Sequence, residues 1–275
     1  MKIVESTIEI GLDKSFEILH ASDTHVALAD ERDNQRKIDL ANQRFQYFDY
    51  ALDNVKFMSE YAKKHNLPIM HTGDFMDFVS EKNLDAVKDF VNNNDVFFSA
   101  GNHEFSLYVG EAFEDAEYRN ISLAKVQSAF KNNIRFDVRE ICGVNFVVID
   151  NSYYLFEQEQ LDGLKKVAKQ GKPIVLLMHN PIYSKGYFDY RIKIYPNAAF
   201  LNGVPEELMT GYDKDRFIQQ KADDITLKTC DYIKSEPLIK AILCGHLHED
   251  YVDKVNDHLT QYVTHITSLR RIKFI

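Results

Sequence analysis

The chain has 275 residues, 45% of them hydrophobic and 27% charged, with a formal net charge of −9. That length allows one large domain or two small ones and buries roughly three-quarters of the unfolded surface, and nothing in the composition suggests disorder, collagen or low complexity. The acidic balance repels an extended phosphate polymer and opposes a general nucleic-acid binder, although a metal cluster can reverse the field inside one pocket.

The opening stretch MKIVESTIEIGLDKSF alternates polar and apolar side chains without a long apolar run or a small-residue cleavage site, so it reads as a strand rather than a signal peptide. FEILHAS (16–22) reads as the next strand. Phe45, Phe48, Leu52, Val55, Met58 and Ala62 recur at three- and four-residue steps and predict one long helix. PIMHTG (68–73), a helix near 81–92 and VFFSA (96–100) follow. A helix around 120–131 precedes IRFDVREI (134–141) and VNFVVID (144–150), which only Cys142 and Gly143 separate, a hairpin spacing. The helix near 157–170 stops at a C-cap glycine, Gly171, before IVLLMH (174–179).

Between Pro181 and Pro237 the pattern breaks down, and residues 182–236 read as an insertion that sets substrate choice within a single domain spanning 1–275. Tyr183, Tyr187, Phe188, Tyr190 and Tyr195 crowd its start, either as a small core of their own or as a surface that stacks a nucleobase. A helix from about Arg216 to Ser235 closes it. AILCGH (241–246), DYVDKV (250–255), QYVTHITS (261–268) and RIKFI (271–275) complete the strands, and the alternation of strand and helix is that of an α/β fold.

Cys142, Cys230 and Cys244 lack C-x-x-C spacing and read as three buried thiols of a reducing compartment. The longest aliphatic run, IVLLM, is far too short to span a bilayer. A cytoplasmic protein without membrane contact is the expectation.

Five strands run directly into Asp, Asn and His: SDTH (22–25), GDFMD (73–77), GNHE (101–104), MHNP (178–181) and GHLH (245–248). One such cluster is weak, but in open α/β sheets ligands bind beyond the carboxyl ends of strands, and all five lie there. If these segments are extended, residues two apart share a side, so Asp23 with His25 and His246 with His248 each point two donors into one cavity. Asp23, His25, Asp74, Asn102, His179, His246 and His248 together offer more oxygen and nitrogen donors than one tetrahedral ion uses, and two ions sharing a ligand account for them. Without thiolate, that set suits manganese, iron or zinc.

The order D-x-H, G-D-x-x-D, G-N-H-E, H, G-H-x-H, from Asp23 to His248, resembles the calcineurin-like metallophosphoesterases. The resemblance implies a four-layer α-β-β-α sandwich with a binuclear centre of two divalent or mixed-valence ions. It implies that Asp23, His25 and His248 hold one ion and Asn102, His179 and His246 the other, with Asp74 bridging. Attack by a metal-activated hydroxide on a small phosphodiester or phosphomonoester follows from it. His103, adjacent to Asn102, is the expected general acid, and the resemblance adds Asp77 as the carboxylate that pairs with it. Glu104 either orients its turn or faces solvent. Gly73, Gly101 and Gly245 read as backbone-conformation positions. His20 and His71 read as satisfied core histidines with a second shell of the metal as the alternative, His65, His258 and His265 as structural or surface residues, and Cys244 as a core thiol rather than a zinc ligand. The Phe78 that follows Asp77 departs from the arginine of the protein Ser/Thr phosphatases and Asp77 itself from the tyrosine of purple acid phosphatases, which leaves the branch of cyclic-nucleotide phosphodiesterases and related bacterial phosphoesterases as the nearest, with His-Asn-Pro at 179–181 similar to its His-His-Pro and departing from it at Asn180. A nuclease of the same superfamily and a non-catalytic metal-bound scaffold are the competing readings. Oligomeric state is not legible.

Overall fold

The computed structural model describes residues 1–110 and 114–275. In chain order its elements are β1 (Lys2–Ile8), β2 (Phe16–Ala21), α1 (Gln35–Phe45), α2 (Ala51–His65), β3 (Ile69–His71), α3 (Glu81–Asn93), β4 (Val96–Phe98), α4 (Ala116–Gln127), β5 (Phe136–Ile141), β6 (Val144–Ile149), α5 (Gln158–Ala168), β7 (Ile174–Leu177), α6 (Lys185–Ile194), α7 (Lys214–Gln220), α8 (Asp224–Ser235), β8 (Ile239–Cys244), β9 (Tyr251–Lys254), β10 (Thr260–Val263) and β11 (Ser268–Phe274).

The strands form two sheets, ordered β1-β11-β2-β3-β4 and β5-β6-β7-β8-β10-β9. Their inner faces meet in one apolar layer, where Ile18, Met70, Phe97 and Phe274 of the first sheet pack with Phe146, Val148, Val175 and Leu243 of the second. On the outer face of the first sheet, Met58, Val87 and Val126 bring α2, α3 and α4 into a second cluster. Leu164 of α5 and Ile233 of α8 do the same for the other sheet. The result is the four-layer α-β-β-α sandwich. Burial on both faces explains why β6 and β7 are apolar at almost every position instead of alternating.

Strands β2, β3 and β4 are parallel neighbours, and so are β6, β7 and β8. Each sheet therefore delivers three adjacent carboxyl ends to one edge.

Several elements differ from the periodicity reading. The single long helix is two, α1 and α2, broken at 46–50. Phe45 and Leu52 are exposed, so the periodic set never shared one buried face, and the break lets Phe48 lie flat on His25, with ring centroids 4.5 Å apart. The helix expected from Arg216 is likewise two, because Asp223 caps α8 by accepting from the Thr226 amide. Helix α4 starts earlier than expected for the same reason: the Asp115 side chain accepts from the Tyr118 amide. Residues 264–267, read as strand, instead join β10 to β11. Cys142 is exposed, with φ +50° at the tip of the β5–β6 hairpin, so only Cys230 and Cys244 are the buried thiols expected. Among the described residues, no helix is long and apolar enough to cross a membrane.

Phe146 is fully buried between the sheets, edge-on to Phe274 at 5.6 Å. Phe146→Ala is expected to lower unfolding free energy by about 3–5 kcal/mol, read as a lower urea midpoint at unchanged slope.

Candidate metal centre

Asp23 and His25 follow β2, Asp74 and Asp77 follow β3, Asn102 and His103 follow β4, His179 follows β7, and His246 and His248 follow β8. Three carboxyl ends of one sheet and two of the other thus converge. Donor atoms of Asp23, His25 and His248 lie within 4.8 Å of one another, as do those of Asp74, His179 and His246. Asp74 Oδ2 stands 3.8 Å from His25 Nε2 and 3.1 Å from His179 Nε2. A ring nitrogen of His103 also comes within 4.8 Å of His25 and Asp74 donors.

The backbone that aims these side chains is not extended. Asp23, His25, Asp74, His246 and His248 have φ of +56°, +51°, +54°, +67° and +51°. The left-handed region costs a residue with a Cβ about 1–3 kcal/mol and persists where surrounding bonds over-determine it. Here they do: Asp23 N donates to Gly73 O and His25 N to Asp74 O, both at 2.9 Å, while the Asp23 carboxylate accepts from His246 N at 2.9 Å and Asp74 Oδ1 from His103 N at 2.9 Å. Convergence of Asp23 with His25 and of His246 with His248 therefore rests on left-handed residues two apart, not on strand pleat. Asn102 is right-handed helical, ahead of a single 3-10 turn at His103–Phe105, so His103 diverges from it as turn residues do. Of the three glycines, only Gly73 has positive φ, +96°. Gly101 and Gly245 are needed for space: a Cβ would stand 2.2 Å from Asp74 Oδ1 at the first and 2.1 Å from Asp23 Oδ2 at the second.

A second layer fixes the imidazoles. His25 Nδ1 donates to Asp77 Oδ1 at 2.8 Å and His179 Nδ1 to the Thr72 carbonyl at 2.7 Å. His246 Nε2 is hydrogen-bonded to Tyr154 Oη at 2.5 Å. Each bond leaves the other ring nitrogen turned toward the centre. Arg44 of α1 grips the Asp77 carboxylate, at 2.6 Å from Nε and 3.0 Å from Nη2. Burial opposes charge on Asp77, but the bonds from His25 and Arg44 and the field of His103 hold it well below the usual carboxylate range. His103 Nδ1 donates to the Asp77 carbonyl at 2.7 Å, with the Asp77 carboxylate 3.4 Å away. Burial opposes its charge too, yet Asp74, Asp77 and that carbonyl raise the His103 imidazole above its ordinary value. Glu104 is fully buried and orients the turn: Oε2 accepts from Asp74 N and Gly101 N at 2.7 and 2.8 Å, and Oε1 from Phe75 N at 2.8 Å and Met76 N at 3.3 Å. Burial and the Asp74 charge push its carboxyl up to about 8 against those donors.

Tyr154, Thr72 and Arg44 were not singled out from the sequence, nor was Asn151, whose Oδ1 accepts from His179 N at 3.0 Å. A signal existed for two of them. VNFVVID also runs into polar residues, DNSYY, at the carboxyl end of β6, the same cue that marked the other five strands. Asn180 Nδ2 donates to Asn151 O at 2.9 Å and braces this loop, while its Oδ1 is buried without a hydrogen-bond partner.

Of the remaining histidines, His20 and His71 are buried against threonine hydroxyls, with His71 Nδ1 lacking a hydrogen-bond partner. His20 bonds Thr72 and Thr264 hydroxyls, both at 2.9 Å, and His71 bonds Thr24 Oγ1 at 3.0 Å while stacking on Phe98. Cys244 Sγ faces the Tyr262 carbonyl. In the aromatic cluster, Tyr187 is buried and stacks on Tyr251 at 4.4 Å, with Tyr190 alongside at 4.8 Å, so that part is packing.

The residues present fit metal ions. Asn102 Oδ1 is buried without a hydrogen-bond partner, and an orphaned amide oxygen suits a cation. His179 Nε2 and His246 Nδ1 face each other at 3.2 Å, and His25 Nε2 and His248 Nε2 at 3.1 Å, about the separation of two donors on one tetrahedral ion with bonds of ~2.0 Å.

A model of the calcineurin-like phosphoesterases matches residues 16–250. The chain belongs to that family. Membership supports a hydrolase of phosphoric esters that uses divalent metal, and the His and Asp groups above are ones that could hold it. A dimetal phosphatase from Danio rerio is similar in structure, at TM-score 0.50 and 11% identity, covering 91% of this chain and 87% of that one. A phosphopantetheinyl hydrolase from Mycobacterium tuberculosis gives TM-score 0.46 at 11% identity, covering 95% and 90%. A 5'-nucleotidase from Candida albicans gives 0.43 at 13%, covering 91% of this chain and 46% of that one. At such identity the likeness concerns the fold alone. No curated protein matches the sequence.

In this calcineurin-like phosphoesterase Glu104→Gln replaces one acceptor oxygen by an NH2 group that opposes backbone donors. It is expected to lower stability in chelator by about 1–3 kcal/mol, read by urea unfolding.

Proposed function

We propose that this calcineurin-like phosphoesterase is a binuclear enzyme that hydrolyses a small phosphodiester or phosphomonoester. Asp23, His25 and His248 would hold one ion and Asn102, His179 and His246 the other, with Asp74 shared. Manganese or iron suits these donors, and zinc is compatible with them. What carries the reading is the position of one oxygen, Asp74 Oδ2, within 3.8 Å of a donor from each half of the cluster. Two divalent cations there supply Lewis acidity toward phosphoryl oxygens and bring the pKa of bound water to about 7.

The chain's own residues do the rest. His103 spends Nδ1 on the Asp77 carbonyl, so Nε2 is its remaining proton carrier. Its side chain is 18% exposed, against 0–3% for Asp23, His25, Asp74 and His179, so it can meet the leaving-group oxygen and donate to it. Asp77 favours that proton and at the same time fixes His25. A cleft of about 760 Å³ adjoins the Asn102 side of the cluster through Glu114 and is also lined by Tyr108, Tyr153, Asp213, Arg216 and Gln219. Because α7 forms one wall, residues 182–236 are the segment expected to select among esters.

The decisive assay combines metal content with leaving-group dependence. Wild type is expected to carry two ions per chain and to lose activity in chelator. His103→Ala is expected to keep both ions while kcat on an alkyl phosphate ester falls about 10²–10⁴-fold and kcat on a p-nitrophenyl ester falls far less. A metal-loaded chain with fewer than two ions, or inert toward both mono- and bis-aryl phosphates, would sink the reading; loss of an ion from His103→Ala would make that residue a ligand instead.

A further inference from the structure

The Asn102 amide has two chemically opposite ends, an oxygen that can face a cation and an NH2 group that cannot. Nothing within Asn102 itself chooses between them. Glu114 does: its Oε1 accepts from Asn102 Nδ2 at 2.9 Å, and its Oε2 accepts from Gln219 Nε2 at 2.8 Å. Burial raises the Glu114 carboxyl above its ordinary value; as a carboxylate it only accepts, so it dictates that both amides present nitrogen, and the Asn102 oxygen is left buried and without a partner. Glu114 comes from the segment before α4, and Gln219 from α7.

We infer that Glu114 is a positioning residue that sets the orientation of the Asn102 amide toward the metal centre, and that Gln219 holds Glu114 in place. This rests on the binuclear reading above. Glu114 also lines the 760 Å³ cleft and its charge helps to raise the His103 imidazole, but its direct bonds go to Asn102 and Gln219. Orienting partners of metal ligands typically affect metal affinity about 10–100-fold when removed.

The contrast with aspartate makes the test specific. A carboxylate at 102 has two equivalent oxygens and no end to choose, so it needs no orienting partner, but it would face the like charge of Glu114. Metal-free full-length protein is titrated with Mn²⁺ by calorimetry, and the coupled two-ion signal is followed by electron paramagnetic resonance. Glu114→Ala is expected to weaken one of the two ions about 10–100-fold and to leave the other within about threefold, with the thermal midpoint in chelator little changed. Gln219→Ala, which removes only the outer contact, is expected to act on the same ion more weakly. Asn102→Asp alone is expected to bind that ion poorly, and Asn102→Asp with Glu114→Ala to recover it. A merely structural Glu114 would show no such rescue. If Glu114→Ala and Gln219→Ala bind two ions as wild type does, or the double variant is no better than Glu114→Ala, the inference is overturned while the binuclear reading stands. Wild type that takes up fewer than two ions overturns both. Should Glu114→Ala fail to fold, Gln219→Ala and the Asn102→Asp pair with Glu114→Gln decide the matter by the same criteria.

Discussion

Negative charge and imidazole lone pairs are driven together where the two sheets end. Asp23, Asp74 and Asp77 are at most 2% exposed, and burying an ionised carboxylate is tolerated only where positive charge and hydrogen-bond donors surround it. The chain supplies part of that surrounding. Arg44 closes on Asp77, and backbone amides of His103 and His246 close on Asp74 and Asp23. Burial works against charge on His179, yet Asp74 and Asp23 push its imidazole up to about 10, so the pocket draws a proton where a cation is absent. Asn102 Oδ1, a further acceptor without a donor, adds to the same demand.

Meeting that demand dictates backbone geometry. Five of the candidate ligands sit in left-handed conformations, and so does Tyr154, at φ +61°. Such strain is affordable only because each turn is bonded to a turn from another strand, and because Gly101 and Gly245 let backbone approach the Asp74 and Asp23 carboxylates. The apolar layer between the sheets provides the rigidity on which these bonds rest, since it sets how close the ends of β2, β3 and β4 come to those of β7 and β8.

Residues 185–220 reach the same cluster from outside. Tyr187 and Arg191 of α6 bond the carboxylate of Glu249, at 2.7 and 3.2 Å, immediately after His248. The Phe200 ring lies edge-on to His246 at 6.2 Å under the guanidinium of Arg216, and Gln219 touches Glu114 behind Asn102. A segment whose sequence shows no regular period is thereby anchored beside three of the candidate ligands, which gives it a physical route to influence the site as well as the cleft beside it.

The α/β class, nearly all the strands and the donors at their carboxyl ends were legible because apolar runs that stop at Asp, Asn and His are a local property, written in consecutive residues. Helix breaks at 46–50 and 221–223 were less so: Phe48 turns inward to meet His25, a contact invisible to periodicity, whereas Asp223 was a readable cap. Which atom each candidate ligand presents was decided only by the tertiary structure. His246 turns Nδ1 inward because Tyr154 takes Nε2, and Asn102 its oxygen because Glu114 takes the amide nitrogen. The sequence by itself determined which chemical groups stand at the strand ends; only the folded chain decided their orientation, because hydrogen bonds between residues far apart in sequence select among rotamers, tautomers and left-handed turns that no local pattern distinguishes.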